Sequence, residues 1–274
     1  MGSTHSRYLE RNLMTPLALP LRTAPRLGRS VTAIGWGAFK IGRNQGAKYP
    51  TSYDLPTEAD SVALVRSVIA LGINAIDTAP AYGLSEHRIG IALEGIDPAT
   101  RANVFLSTKA GEQFEVGVSR YDFSRAAIDA SVHESLARLR STCVDLVWIH
   151  SDGSDLAILR DGGAIAALEA LKSAGKIGAI GFSPKSVDGA NAALRDQRVD
   201  ALMVEFHPSA TEMEPALRAG HSAGKAIFVK KPLASGTLDP AVALPWILKH
   251  HAVTCVVVGG LSLARLRTNA MLGV

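Results

Sequence analysis

The sequence predicts a (β/α)8, or TIM, barrel, and three observations lead there. Short β-branched runs alternate with longer runs of helical period along the whole chain. Eight such strand-like runs can be counted. Finally, the open alternative, a doubly wound sheet, calls for a glycine-rich phosphate loop between an early strand and its helix. GWGAFKIG (35–42) contains G-x-G, but no helical pattern follows it. About twenty irregular residues intervene instead, including RNQGAKYPTSYDLPT, and long irregular segments of this kind are usually functional loops.

In chain order the expected strands are Val31–Trp36, Asn74–Asp77, Val104–Lys109, Val144–His150, Ile177–Phe182, Ala201–Phe206, Ala226–Lys230 and Val253–Val258. Each reads as a nearly continuous apolar run, the pattern of parallel strands covered on both faces. Helical patterns fall between them, among them 58–72, 124–140, 162–175 and 210–224. Gly72, Gly175 and Gly224 stand where a helix C-terminus takes a left-handed residue. The whole chain, 1–274, is expected to be a single barrel domain, with residues 1–26 an N-terminal extension.

Composition narrows the function classes. Of 274 residues, 47% are hydrophobic and 20% charged, and 29 Lys+Arg against 25 Asp+Glu leave a net charge of +4. So small and scattered a surplus does not argue for a nucleic-acid partner. No apolar stretch is long enough to span a bilayer. Residues 1–30 carry five Arg and one acid but lack the apolar centre of a secretory signal, so a cytoplasmic location is the default. Cys143 and Cys255, each in an apolar strand-like run, are expected to be buried thiols in a reducing compartment.

Barrel active sites lie at the C-terminal ends of the strands. The residues to read there are Asp77, Lys109, His150, Ser183, Glu205 or His207, and Lys230–Lys231, polar groups that follow apolar runs. With Tyr82, which follows Asp77 on the next turn, they suggest a proton-transfer site. A phenol has a reference pKa near 10. An ammonium about 4 Å away favours the phenolate by roughly 4 kcal/mol at an effective dielectric of about 20. Lys109 is therefore expected to lower the Tyr82 pKa toward neutrality, with Asp77 keeping Lys109 charged while partly cancelling its effect. A neutral His150 would hydrogen-bond a substrate carbonyl oxygen. Protonating that oxygen is useful only if hydride reaches its carbon, which a nicotinamide cofactor can deliver.

At these residues the sequence resembles the aldo-keto reductase superfamily. The resemblance runs from about Leu27 to Asn269, and DTAPAYGLSEHRIGIALEG (77–95), LSTKAG (106–111) and DLVWIH (145–150) carry it most specifically. It implies that Tyr82 is the proton donor, that Lys109 and Asp77 tune it, and that His150 orients the carbonyl. NADPH, with NADH as the alternative, would reduce a small-molecule aldehyde or ketone, or the reaction would run in reverse. Cofactor positions implied are Gly37, Ala38 and Phe39 near the nicotinamide, with Ser183 contacting its carboxamide. Pro184 and Met203 stand where amide side chains are usual, and Lys230, Lys231 and Leu233 follow in the strand-seven segment. In VVVGGLSLARLRTN (256–269), Arg265 matches the 2′-phosphate contact and Asn269 the adenine contact. Gly259 and Gly260 replace that motif's lysine and serine. No metal is implied, and the oligomeric state is left open.

Members of the family it resembles often continue into a C-terminal loop that closes over the substrate; this sequence stops at Val274, just after the last helical pattern, so the resemblance implies an open pocket. Its walls would come from Trp36, Phe39, Tyr49, Tyr53, Phe114, Trp148 and His207, with loop 40–57 acting as a lid. Two other function classes compete with the reductase. One is an NADPH-binding regulatory or redox-sensing barrel with little turnover. The other is a Schiff-base aldolase using Lys109.

Overall fold

Eight parallel strands close on themselves in the computed structural model, which describes residues 15–47 and 49–273. They are β1 (Ile34–Gly37), β2 (Ala75–Asp77), β3 (Phe105–Ala110), β4 (Val144–His150), β5 (Ile177–Ser183), β6 (Ala201–Glu205), β7 (Ala226–Lys230) and β8 (Cys255–Gly259). Each pairs with its neighbours in sequence, and β8 returns to β1 with Gly259 opposite Gly37. The expected strands are all present, shifted by a residue or two at their ends. Val31–Trp36 is the exception, because it divides. Thr32 Oγ1 bonds Ile34 O at 2.7 Å, turning the chain between two elements. Val31–Thr32 pairs antiparallel with Leu21–Arg22, while Ile34–Gly37 enters the barrel.

Side chains alternate across each strand, so every second residue faces the barrel axis. Ala75, Phe105, Leu146, Trp148, Ala179, Ala201, Met203, Ala226, Phe228, Cys255 and Val257 form this inner core. Large and small residues interlock within it. Trp148 is fully buried, and a Cβ on Gly181 would come within 2.1 Å of its ring, so this strand position must be glycine. The opposite faces of the strands join the helices in a second, outer core that includes Val65, Val132, Leu168, Leu217 and Ile247.

Helices Glu58–Ala70, Arg125–Arg138 and Val187–Arg195 begin where side-chain oxygens of Thr57, Ser124 and Ser186 accept otherwise unpaired backbone N–H groups. Gly72, Gly175 and Gly224 all take positive φ, as helix-ending residues do. Among the described residues, no helix is long and apolar enough to cross a membrane.

The first fourteen residues of the expected extension lie outside the described residues. Residues 21–27 close the N-terminal end of the barrel. Ala24 and Leu27 join the inner core, while Arg22 donates to Val253 O at 2.6 Å and Leu248 O at 2.8 Å. Expectation fails for one thiol. Cys255 is buried in the inner core, but Cys143 is exposed, because β4 starts one residue later, at Val144.

Candidate active site

The same alternation that fills the barrel builds its mouth. Two residues beyond Ala75 is Asp77, and four beyond Phe105, two beyond Ser107, is Lys109. Two beyond Trp148 is His150, beyond Gly181 is Ser183, beyond Met203 is Glu205, and beyond Phe228 is Lys230. Each is the last inward-facing position of its strand. The C-terminal rim therefore collects six polar side chains, and Gly37 and Gly259 complete it at the β8–β1 seam.

Asp77 and Lys109 are 5% and 2% exposed and form a direct ion pair. Lys109 also donates to Thr78 O at 2.8 Å, and Asp77 accepts from Ser107 Oγ at 2.8 Å. A buried pair needs such supporting bonds, because desolvation otherwise cancels the Coulombic gain. Burial alone would discharge Lys109, but Asp77 and Tyr82 hold its pKa above the ordinary lysine range.

Tyr82 ends a 3-10 turn, Pro80–Tyr82, that follows β2. Two glycines press this turn against the loop after β1. A Cβ on Gly42 would fall 2.0 Å from Tyr82 O, and one on Gly83 would fall 2.5 Å from Gly42 O. The Lys109 Nζ lies 4.8 Å from the centroid of the Tyr82 ring. Phe39 packs edge-on against that ring at 5.0 Å, and the His150 ring stands 6.5 Å away at 88°. The structure thus brings Asp77, Tyr82, Lys109 and His150 together. It reverses the expected direction of tuning, however. Removal of water raises the Tyr82 pKa, Lys109 lowers it by less, and Asp77 raises it further. The phenol stays protonated well above neutrality.

Burial likewise lowers the pKa of His150, although Glu112 pulls it upward, so the imidazole is neutral at pH 7. Glu112 escaped the sequence reading. It belongs to a hairpin, Glu112–Glu115 paired with Val118–Tyr121, that hangs beside the mouth. The turn residues Val116 and Gly117 have φ of 48° and 82°, a left-handed pair typical of tight hairpins. Valine is unusual in that conformation, which hid the turn. Arg43 fixes the hairpin to the β1 loop, its guanidinium 3.2 Å from the Phe114 ring centroid, and it donates to Ala81 O at 2.9 Å.

Of the expected pocket walls, Trp36 and Trp148 are fully buried in the two cores, and His207 is 4% exposed. Half-buried Phe39, Tyr49, Tyr53 and Phe114 remain available. Tyr49 packs on Phe39 at 6.2 Å and on Tyr53 at 5.9 Å, so loop 40–57 does lie at the mouth. Lys48, within it, lies outside the described residues.

The residues assigned to a dinucleotide are more dispersed. Ala38 is fully buried, and its carbonyl accepts from Ser85 Oγ at 3.0 Å, while Phe39 faces Tyr82. Ser183 is 1% exposed and accepts from Lys230 Nζ at 2.8 Å; Lys230 also donates to Pro184 O at 3.1 Å. Burial first, and neighbouring Lys231 second, lower the Lys230 pKa to about 7. Lys231 itself pairs with Glu205 at 2.6 Å. Met203 sits one layer below the mouth in the inner core, and Leu233 packs on the outer core. Arg265 is exposed on the helix Leu263–Met271, whose inner face buries Asn269.

The β8–β1 seam is the open stretch of the rim. Gly37 and Gly259 leave the rim free of side chains there, and the Tyr49 hydroxyl lies 3.7 Å from where a Gly259 Cβ would stand. Lys40 rests 3.9 Å above the Tyr49 ring, and burial, then Arg265, lowers its pKa. Among the described residues, neither Lys40 nor Arg265 has a carboxylate partner within ion-pair distance. Two neighbouring cations without carboxylate partners make this part of the rim electropositive. Lys40 is a second residue that sequence reasoning missed, since it approaches Arg265 only once the barrel closes.

Comparison with known proteins gives the same direction. The model of the Aldo/keto reductase family matches residues 33–243. L-galactose dehydrogenase of Arabidopsis thaliana is 35% identical over 174 residues, 62% of this chain and 50% of that protein. D-threo-aldose 1-dehydrogenase of a Pseudomonas species is 28% identical over 221 residues, 70% of this chain and 64% of that protein. The matches thus span between half and two-thirds of these relatives' length. A crystal structure of a Pseudomonas aeruginosa protein assigned to the aldo-keto reductases superposes with a TM-score of 0.85 at 33% identity, covering 96% of this chain and 98% of that one.

Proposed function

The chain belongs to the aldo/keto reductase family, and on that premise we propose that it interconverts an alcohol and a carbonyl compound with NADP(H), Tyr82 carrying the proton. The observation that carries this reading is the convergence of a phenol, a buried ammonium–carboxylate pair and an imidazole at the mouth. The bound nicotinamide would supply or accept hydride, chemistry that no side chain offers.

In the reductive direction Tyr82 gives its proton to the oxygen of the forming alkoxide. An alkoxide is a far stronger base than a phenolate, so the transfer is downhill from a phenol whose pKa burial has raised. Lys109, held by Asp77 and Thr78 O, stabilises the phenolate left behind. Oxidation runs the same transfer backward. Ser183 and Lys230 would face the nicotinamide, and Lys40 and Arg265 would hold phosphate across the β8–β1 seam.

The substrate class we favour is an aldose or a similar polyhydroxylated carbonyl compound. Two relatives are named as sugar dehydrogenases. Phe39, Tyr53 and Phe114 offer aromatic surface near the cation Arg43, suited to the C–H faces and hydroxyls of a sugar.

The reading is tested by following NADPH fluorescence during titration and then turnover with a panel of aldoses, aldehydes and ketones in both directions. Binding with turnover of a polyhydroxylated member supports it. Absence of NADPH or NADH binding would refute it. Arg265→Ala is expected to weaken NADPH about tenfold to a hundredfold, the loss of a charge-assisted contact, while sparing NADH. An equal effect on both would place the 2′-phosphate elsewhere.

A further inference from the structure

Glu112 is a second buried carboxylate at the mouth, and nothing in the proton transfer through Tyr82 uses it. It is 8% exposed. Its Oε1 accepts from Ser119 Oγ, across the hairpin, at 2.6 Å. Its Oε2 lies 2.8 Å from His150 Nδ1. Burial alone would favour the protonated carboxyl, but His150, Ser119 and Arg43 together reverse that and bring its pKa down to about 2. Glu112 is therefore ionised throughout the physiological range.

The contact constrains His150. Its Nδ1 is completely enclosed, with the Glu112 carboxylate 2.8 Å away. Two lone pairs held 2.8 Å apart in a poorly solvated place would repel strongly, so a proton must lie between them. Glu112 is the stronger acid, and the proton belongs to the imidazole. A neutral imidazole carries only one proton, so Nε2 is then bare. The His150 side chain is 20% exposed although Nδ1 is enclosed, and Nε2 bonds no described residue. Nε2 is thus the nitrogen that reaches the mouth. The other groups bearing on His150 are Lys109 and Lys230, both cationic when protonated, and both disfavour a second proton on the ring.

We propose that Glu112 is a positioning residue that holds His150 in its Nδ1–H tautomer, leaving Nε2 to accept a hydrogen bond from a substrate hydroxyl. The role differs from donation to a carbonyl oxygen, which a bare nitrogen cannot perform. It rests on the alcohol–carbonyl reading for its substrate and deepens it. The site recognises a hydroxyl next to the reacting carbon, because the reacting alcohol's own proton goes to Tyr82, and a carbonyl compound without hydroxyls gains nothing from His150.

The test is a long-range proton–nitrogen correlation spectrum of the full chain without cofactor, above the pH at which His150 titrates, with His150 identified by its loss in His150→Gln. Wild type is expected to show Nδ1 protonated and Nε2 as the imine nitrogen. Glu112→Ala is expected to exchange the two. Glu112→Gln keeps the shape and an acceptor oxygen but no charge, so it should keep the tautomer and move the His150 titration to lower pH. In turnover, Glu112→Ala should raise KM for a hydroxylated substrate about tenfold and leave that of a simple aldehyde within twofold, the loss of one hydrogen bond to substrate. The proposal is overturned if wild type carries its proton on Nε2, or if the His150 titration is the same in wild type and Glu112→Gln. Because the spectrum needs neither cofactor nor substrate, loss of NADPH binding would defeat the functional reading while leaving this result standing.

Discussion

Tyr82→Phe is expected to lower turnover in both directions by about 10²–10⁴-fold, the usual contribution of a positioned proton donor, while NADPH affinity stays within about twofold. Only the hydroxyl is lost. The ring retains its contact with Phe39, and Lys109 retains Asp77 and Thr78 O. No neighbour can take over the role. His150 faces the mouth through an unprotonated nitrogen, and Lys109 is committed to its carboxylate. Burial raises the Tyr82 pKa above its reference of 10.0, so the donor form persists from neutral pH through that value. Wild-type reduction should therefore lose activity on the basic side only above about pH 10. Stopped-flow NADPH oxidation with single-turnover controls measures both quantities. A matching loss of cofactor affinity in Tyr82→Phe, or a basic limb near neutral pH that survives the substitution, would remove Tyr82 from the proposed role.

Much of this site was legible because parallel strands buried on both faces read as apolar runs, and a polar residue at the end of such a run stands out. Asp77, Lys109, His150, Ser183 and Lys230 all announce themselves in that way. Counting back by twos from each of them reaches Ala75, Phe105, Trp148, Ala179 and Phe228, members of the inner core. That parity would also have removed Trp148 from the pocket walls, since it shares the inward face of β4 two residues below His150. What was hidden depends on distance in sequence. Glu112 meets His150 across 38 positions through a hairpin whose turn begins with valine, not the usual Asn or Gly. Lys40 and Arg265 approach only because β8 closes on β1. The direction of the Tyr82 pKa shift was missed for a different reason. A pairwise Coulomb estimate registers the lysine but not the water that the barrel removes.

The Asp77–Lys109 pair offers a sharper experiment, because stability and catalysis should separate there. Lys109→Met leaves the Asp77 carboxylate buried with Ser107 Oγ as its remaining side-chain partner. Asp77→Asn leaves the Lys109 ammonium buried with Thr78 O. Each single change strands a charge, which typically destabilises by about 3–5 kcal/mol. Each should also lower turnover by about a hundredfold or more, because Tyr82 then loses the cation that receives its negative charge, or the anchor that aims that cation. In Asp77→Asn/Lys109→Met neither charge remains to be desolvated, and amide and thioether fill similar volume. Urea unfolding of the double variant should accordingly return most of the lost stability, while its turnover stays as low as that of Lys109→Met. A pair that served the fold alone would recover both together. If the double variant regains activity along with stability, Lys109 supports the barrel and does not tune the phenol. If it regains neither, the carboxylate and ammonium are each needed by other partners, and the ion pair is not the unit that acts on Tyr82.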